Sequence, residues 1–526
     1  MSIVQYGSVN TAALYTPDLY VQVVPPQNYF INGVPTNVLG IVGTSSYGPV
    51  NTPVTIGSPG QYTANFGPIQ NRKYDMGTPL MTASQQGANN FVCVRVTDGT
   101  DTKAIGTVQG ALSLAASYTG SFGNNITITF ASGSAASTTA VLVSVPGFVS
   151  EIFNNIPGTG ASLWTNVANA LTTGLSATRG PSAWLTATAT GLTLAPSYAA
   201  TTMAGGTDGV SSVSATTLLG ADQTTSSMRT GMYALRNQGA SVGVLSDCDT
   251  SSVWTSVAGF GLSEGIYMIV TGPVTDATAN VSATSATPYI KGTAGLDSYA
   301  VKVLYGDWLY WWDAVNNVTR VVSPQGFAAG RLVNLTPNQS SLNKQLYGII
   351  GSVRSGLNPS QNTVYSPAEL QVLGQAGVDL ITNPAPGGKY WAVRFGHNSS
   401  SNASTNGDNY VRMTNFLATT FNAAMGKYIG QNITPSLFNR ISATLNAFLE
   451  VVLNQGMLSL TTSATGKLQL PYSVVCGPAN NPFTLTSLNT VQAAVQVQYQ
   501  AINEKFIINL EGGQTVTVNR VPASLS

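Results

Sequence analysis

The stretch FVCVRV, residues 91–96, alternates as a β-strand does, with Phe91, Cys93 and Arg95 on one face and Val92, Val94 and Val96 on the other. Both faces are apolar apart from Arg95. A strand that buries both sides belongs inside a layered α/β sheet, because a strand with one wet face carries polar residues at alternate positions. Upstream, VLGIVGTSSYGPV at 38–50 has the same character, an apolar run that ends in a Gly/Pro-punctuated turn. YVQVV at 20–24 is a shorter strand stopped by Pro25 and Pro26.

Beyond residue 210 strand and helix patterns alternate. SMRTGMYALRNQ (227–238) predicts a helix, SVGVLSD (241–247) and IYMIVTG (266–272) predict strands, and YAVKVLYGDWLYWWDAV (299–315) is a third apolar region before a helix at GFAAGRLVNL. Repeated strand-helix units specify a mostly parallel sheet with helices on its faces. Between the two sheet-forming regions, from about 98 to 206, Ser, Thr, Ala and Gly dominate. NITITF (125–130), TTAVLVSV (138–145) and LTLAPS (192–197) predict short strands around one helix at LWTNVANAL (163–171). This stretch is expected to be a β-rich inserted domain whose small polar surface faces outward.

Near the C-terminus two helices have readable faces. Met413, Leu417, Phe421 and Ala424 keep helical spacing; Thr434 is a natural N-cap and Pro435 a first-turn residue for a helix with Leu437, Ile441, Leu445, Phe448 and Val452 on one stripe. The period then changes to two: Val491, Ala493, Val495, Val497 and Tyr499 share a face, with Gln492, Gln496 and Gln498 on the other. FIINL (506–510), a Gly512–Gly513 turn and TVTVN (515–519) follow. A strand of this kind completes its own sheet or the open edge of a neighbour's, and Val491 to Tyr499 is expected to be an intersubunit strand.

Only 8% of the 526 residues are charged and the formal net charge is +1, against ~25% charged in a typical globular domain. Nucleic-acid binding, which needs a dense Lys/Arg surface, is therefore not expected. A nearly uncharged chain has little like-charge repulsion between copies, which suits a particle subunit, a surface-layer protein or an adhesin. No apolar run reaches the ~20 residues of a membrane span, and no signal-peptide pattern follows Met1. Synthesis in the cytoplasm, without membrane insertion, is expected. Cys93, Cys248 and Cys476 are too few and too dispersed for a disulfide framework.

A Ser-His-Asp hydrolase needs an imidazole base and a carboxylate to orient it. His397, the only histidine, lies in RFGHNSSSNASTNGDN with Ser399, Ser400 and Asp408 nearby in sequence. That stretch specifies a loop, and no residue is assigned to catalysis. The Cys and His spacing fits no metal motif, DGTD at 98–101 is turn chemistry, and GGTDG at 205–209 lacks the Lys of a phosphate loop. No metal, nucleotide or other cofactor is expected. WLYWW at 308–312 is the densest aromatic cluster, with Lys302 and Arg320 as the cations near it in sequence. It fits a core strand or an interface anchor, and carbohydrate binding is the other use of such a platform.

The order and spacing of several segments carry a resemblance: residues 33–67, NNFVCVRV (89–96), GSFGNNITI (120–128), GGTDG (205–209), ADQTTSSMRTGMYAL (221–235), DSYAVKVLYGDWLYWWD, VSPQGFAAGRL, KYWAVRFG, GDNYVRMTNFL and NAFLEVVLNQGML. Together they resemble the tail sheath proteins of contractile-tailed bacteriophages and related contractile injection systems. Where that family often has a Trp-Gly-x-Arg-Thr strand and then a basic helix, this chain has WAVRFG and VRMTNF, with Arg394 and Arg412 the only basic matches.

The resemblance implies an α/β multidomain chain with four parts. Residues 1–97 would be an N-terminal extension and the first part of an inner assembly domain. Residues 98–206 would be the inserted outer domain, 207–380 a central subtilisin-like parallel-sheet domain without protease function, and 381–526 the rest of the α+β inner domain with a terminal strand extension. It further implies stacked sixfold rings of this chain around an inner tail tube protein, with baseplate and tail terminator proteins as further partners, in a virion tail assembled in the host cytoplasm. On triggering, the sleeve would shorten and drive the tube through the host envelope. Within such a lattice Cys93 and Cys476 could bridge different copies, the ordinary alternative being buried passive thiols. A surface-layer or adhesin subunit and a hydrolase on the same scaffold are the competing functions.

Overall fold

The computed structural model describes the backbone of residues 2–4 and 20–22 and residues 31–222, 228–274, 295–305, 307–357, 364–462 and 466–512. It is a mixed α/β multidomain architecture that divides into two compact units, residues 37–412 with 501–526 and residues 1–36 with 413–500.

The larger unit is organised by a six-stranded sheet in the order Val301–Leu304, Tyr267–Thr271, Val242–Leu245, Leu39–Gly43, Phe91–Arg95, Pro53–Ile56. All neighbours are parallel except the edge strand Pro53–Ile56, which runs antiparallel to Phe91–Arg95. Phe91 and Cys93 enter one core with Leu39, Ile41 and Phe327, while Val92, Val94 and Val96 enter another with Val42, Trp254 and Phe260. The two faces read from FVCVRV are thus the two sides of the sheet. Because Leu39–Gly43 lies at the centre, residues 37–97 belong with this sheet. That grouping differs from the expected one, which pooled residues 1–97 with the C-terminal segment; only residues 1–36 join 413–500.

Helix Trp254–Glu264 covers one face, and helices Gly77–Gln85 and Gln325–Val333 contribute to the core on the other. These last two approach closely: a Cβ at Gly330 would stand 2.4 Å from the Ala83 Cα. At the carboxyl ends of the central strands, the Gln325 side chain donates to the carbonyls of Leu245 and Ile269 at 3.1 and 2.8 Å and accepts from the Asp247 amide at 3.0 Å.

Two expected elements differ here. The predicted helix 227–238 is only a 3-10 turn, Gly231–Leu235, with 223–227 outside the described residues. Gly231 has φ 57°, and a Cβ there would meet the Leu218 carbonyl oxygen at 2.5 Å, so the backbone bends where helical pattern alone would continue. The apolar region 299–315 is two strands: Val301–Leu304 stays in the parallel sheet, and Leu309–Asp313 pairs antiparallel with Val318–Val322 and Ile349–Ser352. Asp307, at φ 50°, lies between them.

The inserted residues carry their own core, containing Phe130, Val141, Phe153, Trp164, Leu171 and Leu185. It is enclosed by a three-stranded sheet (Lys103–Val108, Leu112–Thr119, Leu185–Ala189), a four-stranded sheet (Thr127–Ser132, Thr138–Ser144, Glu151–Pro157, Thr201–Thr202) and helix Gly160–Thr172. LTLAPS is not a strand: Leu192 and Leu194 are exposed, and the Leu194 carbonyl accepts the Trp164 indole N–H at 2.8 Å. Arg95 anchors this insert. Its buried guanidinium donates to the carbonyls of Gly48, Thr119 and Asp208 at 2.7, 2.7 and 3.2 Å.

The smaller unit contains a parallel backbone pair, Ser2–Val4 with Tyr20–Gln22, and residues 413–425 of helix Asp408–Met425. Helix Pro435–Asn454 and the antiparallel pair Tyr472–Val475 with Ala494–Val497 complete it. The Thr434 hydroxyl accepts the Leu437 amide at 3.2 Å, and the stripe of Leu437, Ile441, Leu445, Phe448 and Val452 is buried.

Candidate assembly surface

In the smaller unit, strand Ala494–Val497 has Val495 opposite Val474 and Val497 opposite Tyr472, and both valines pack against the helix pair. The expected face holds from Val495 through Val497 to Tyr499, whose hydroxyl lies 3.2 Å from the Thr414 hydroxyl. Ala493 is exposed and Val491 lies before the strand begins, though both line one cavity with Val495. Asn480 and Asn481 replace strand pairing there. Their side-chain amides donate to the Gln492 carbonyl at 3.0 and 2.8 Å, and Asn481 accepts the Gln492 amide at 2.6 Å. No local pattern in GPANNP announces this brace, because its partners are set by tertiary placement.

Gln498 donates to the Pro471 carbonyl at 2.7 Å. Bonded positions alternate along an antiparallel pair, so Ala494 and Gln496 turn their backbone groups toward Val475 and Ser473, and Val495 and Val497 turn theirs to the outer edge. Among the described residues no strand pairs with that edge. Beside it, Val491 and Val495 share a cavity of about 410 Å³ with Phe421, Met425, Leu437 and Ile441.

Residues 501–512, which belong to the larger unit, have no regular structure. Phe506, Ile507, Ile508 and Leu510 of this arm are 73–90% exposed. Among the described residues FIINL pairs with no strand, and TVTVN lies outside the described residues. Four large apolar side chains are thus left in water along five residues, a liability on a free monomer.

The polar groups weighed for chemistry are engaged in structure. His397 Nε2 lies 2.8 Å from Glu504 Oε1. Ser399 donates its hydroxyl to the Ser298 carbonyl at 2.8 Å, and the Ser400 hydroxyl lies 3.0 Å from that of Thr405. Asp408 is buried with Lys302, Ser341 and Tyr267. Burial alone would raise its carboxyl, but the Lys302 ammonium and these hydroxyl donors hold it down, at about 2. Among the described residues no cluster of three or more His, Cys, Asp or Glu is placed to hold a metal ion.

WLYWW divides. Trp308 and Trp311 are buried, with indole N–H groups donated to the Gly272 carbonyl and Gln85 Oε1, each at 3.0 Å, while Trp312 is exposed. Arg412 is buried and donates to the carbonyls of Leu335 and Thr336 at 2.8 and 3.0 Å, so it offers no surface charge. All three cysteines are free and buried. Burial raises each thiol, Cys248 to about 11. Cys93 is sealed between Ile41 and Val54 in the central sheet, so a bridge from it to another copy requires that sheet to open.

No protein-family model matches the sequence, and no curated protein is significantly similar to it. The fold is similar to that of solved structures. A sheath tail protein from Listeria innocua aligns with TM-score 0.57 and 15% identity over 84% of this chain and 89% of its own. One from Desulfitobacterium hafniense aligns with TM-score 0.53 and 14% identity over 88% and 95%. The contracted sheath complex of PVC, an extracellular contractile injection system, aligns with TM-score 0.52 and 11% identity over 96% and 99%. At these identities the likeness is one of fold.

Proposed function

We propose that the chain is a non-catalytic sheath subunit of a contractile tail or injection particle. It polymerises as stacked sixfold rings around an inner tube and shortens to drive that tube through a cell envelope. The observation that carries this reading is the fold shared over 96% of the chain with the contracted sheath of an injection system.

Mechanically, such a subunit needs two lattice packings joined by a tether that survives the change between them. The outer edge of Ala494–Val497 and the apolar arm at 506–510 supply the chemistry of that tether. Main-chain bonds give affinity whatever the side-chain charge, and alternate side chains set register. In this reading Val491, Ala493, Val495, Val497 and Tyr499 mark the intersubunit joint, and residues 98–206 form an outward domain. The central parallel sheet is a subtilisin-like scaffold without protease function. Inner tube, baseplate and tail terminator proteins are the further partners, and assembly occurs in the host cytoplasm before the particle is released.

Electron microscopy of purified particles tests the proposal. A hollow sleeve around a tube, with density for this chain outside the tube, is expected. Flat two-dimensional arrays, or monomers in both recombinant protein and native particles, would overturn it.

A further inference from the structure

The chain's single histidine is spent on the C-terminal arm. Among the described residues, the contact of His397 Nε2 with Glu504 Oε1 at 2.8 Å is the one hydrogen bond recorded for residues 501–512, and Glu504 lies two residues before the exposed apolar run. The body side of this contact is rigid. The His397 amide donates to Asp379 Oδ2 at 3.1 Å, and its carbonyl accepts the Lys302 ammonium at 3.0 Å, so the backbone that carries the ring is fixed to a buried ion cluster. The ring stacks on Phe395 at 6.3 Å between centroids. The arm side has no such support.

We propose that His397 and Glu504 form a latch that parks the C-terminal arm on its own chain, and that opening the latch frees residues 506–510 to engage a second copy. This inference rests on the sheath reading for its use, though the latch itself is a property of the monomer. The groups facing the ring are Glu504 from the arm, Phe395 from its own strand, and the Lys302, Asp379 and Asp408 cluster behind its backbone. Of these contacts only the one with Glu504 links the ring to the arm. Losing either partner therefore removes the arm's tie to the body of the chain. A half-exposed pair of this kind shifts the parked-to-free ratio by up to about fivefold.

The native cysteines are buried, so Ile508→Cys carries a spin label selectively. At a concentration below assembly, the labelled arm is expected to be more mobile in Glu504→Ala and in His397→Ala than in the wild-type chain. Both variants are expected to assemble at a lower threshold concentration than wild type. Wild-type label mobility in either variant overturns the latch. An arm freed by both variants on a chain that never forms tubes leaves the latch standing and removes the sheath reading; tubes with an arm that neither variant frees do the reverse.

Discussion

Lys302 and Asp379 meet at 2.6 Å with neither side chain open to solvent. The same ammonium reaches Asp408 at 3.1 Å and the His397 carbonyl at 3.0 Å. One cation thus fastens strand Val301–Leu304 to the stretch around Asp379 and to the first residue of helix Asp408–Met425. Desolvating the ions is costly, and Coulombic attraction with full hydrogen bonding offsets that cost only while every partner stays in place.

Removing the cation should therefore be severe. Lys302→Met is expected to lose about 3–5 kcal/mol, since it leaves two carboxylates buried together. Asp408→Asn should lose less, because Ser341 and Tyr267 remain to bond the amide. The Asp408 carboxyl is held at about 2 in the folded chain, below its unfolded value, so its contribution is present above about pH 4. It is lost as the pH falls toward 2. Urea melts at pH 7 and 3 measure both effects. A Lys302→Met chain within 0.5 kcal/mol of wild type would show that the cluster does not hold the fold together.

Asp75 has the opposite sign. Burial pushes its carboxyl up to about 7, although Arg72 and the Thr78 hydrogen bonds favour the ionised form. Its contribution to stability is greatest below about pH 4 and declines until the folded group ionises near 7. Asp75→Asn removes that titration. Relative to wild type, the variant should gain a few kcal/mol between pH 4 and 8, whatever its starting stability. Parallel melting curves for the two chains across that range would refute the assignment.

Sequence periodicity reveals which face of an element is buried better than it reveals partners. The two faces of FVCVRV and the capped stripe of Pro435–Asn454 were legible because each depends on local spacing and one capping residue. Placement of Leu39–Gly43 between strands from residues 91–95 and 242–245 was not, since parallel pairing joins segments far apart in the chain. Helix pattern over 227–238 gave way to the close backbone approach at Gly231, which no neighbouring residue announces. The Asn480–Asn481 brace and the His397–Glu504 contact were invisible for the same reason, being side-chain contacts set by tertiary placement.

Gly330 offers a test of helix packing. Alanine is a better helix former than glycine by about 1 kcal/mol. At this position, however, its methyl would sit 2.4 Å from the Ala83 Cα, backbone that cannot yield without shifting helix Gly77–Gln85. Gly330→Ala is expected to destabilise by about 1–3 kcal/mol despite the propensity gain. A chain that melts higher than wild type would mean that the two helices separate readily.

The thiols should behave passively. A thiol reagent is expected to modify the native chain slowly, reaching Cys476 first because it is the least enclosed, and to find three free thiols after denaturation. Bands on non-reducing electrophoresis of assembled particles that collapse with reductant would instead reveal a bridge between copies. Cys93→Ser would then identify whether the central sheet opens to make it.

The outer edge of the terminal strand can be tested separately from the hairpin it belongs to. In the alternation set by the Gln498 to Pro471 bond, the Val495 N–H points away from Tyr472–Val475, so Val495→Pro removes a donor that the hairpin itself does not use. Gln496→Pro removes one that it does. Val495 also packs against the helix pair, and Val495→Ala measures that contribution alone. If the edge joins subunits, Val495→Pro should keep the monomer's circular dichroism and protease resistance close to those of Val495→Ala while raising the threshold concentration for polymerisation at least tenfold. Gln496→Pro should lower monomer stability as well. Ending the chain after Gln500 removes the arm without touching the strand, and should abolish sleeves if the arm is the element that reaches the neighbour. Sedimentation gives the thresholds and microscopy the form of the product. Should Val495→Pro polymerise like Val495→Ala, the edge is not a joint, and the half-buried valines serve only to close the core of their own unit.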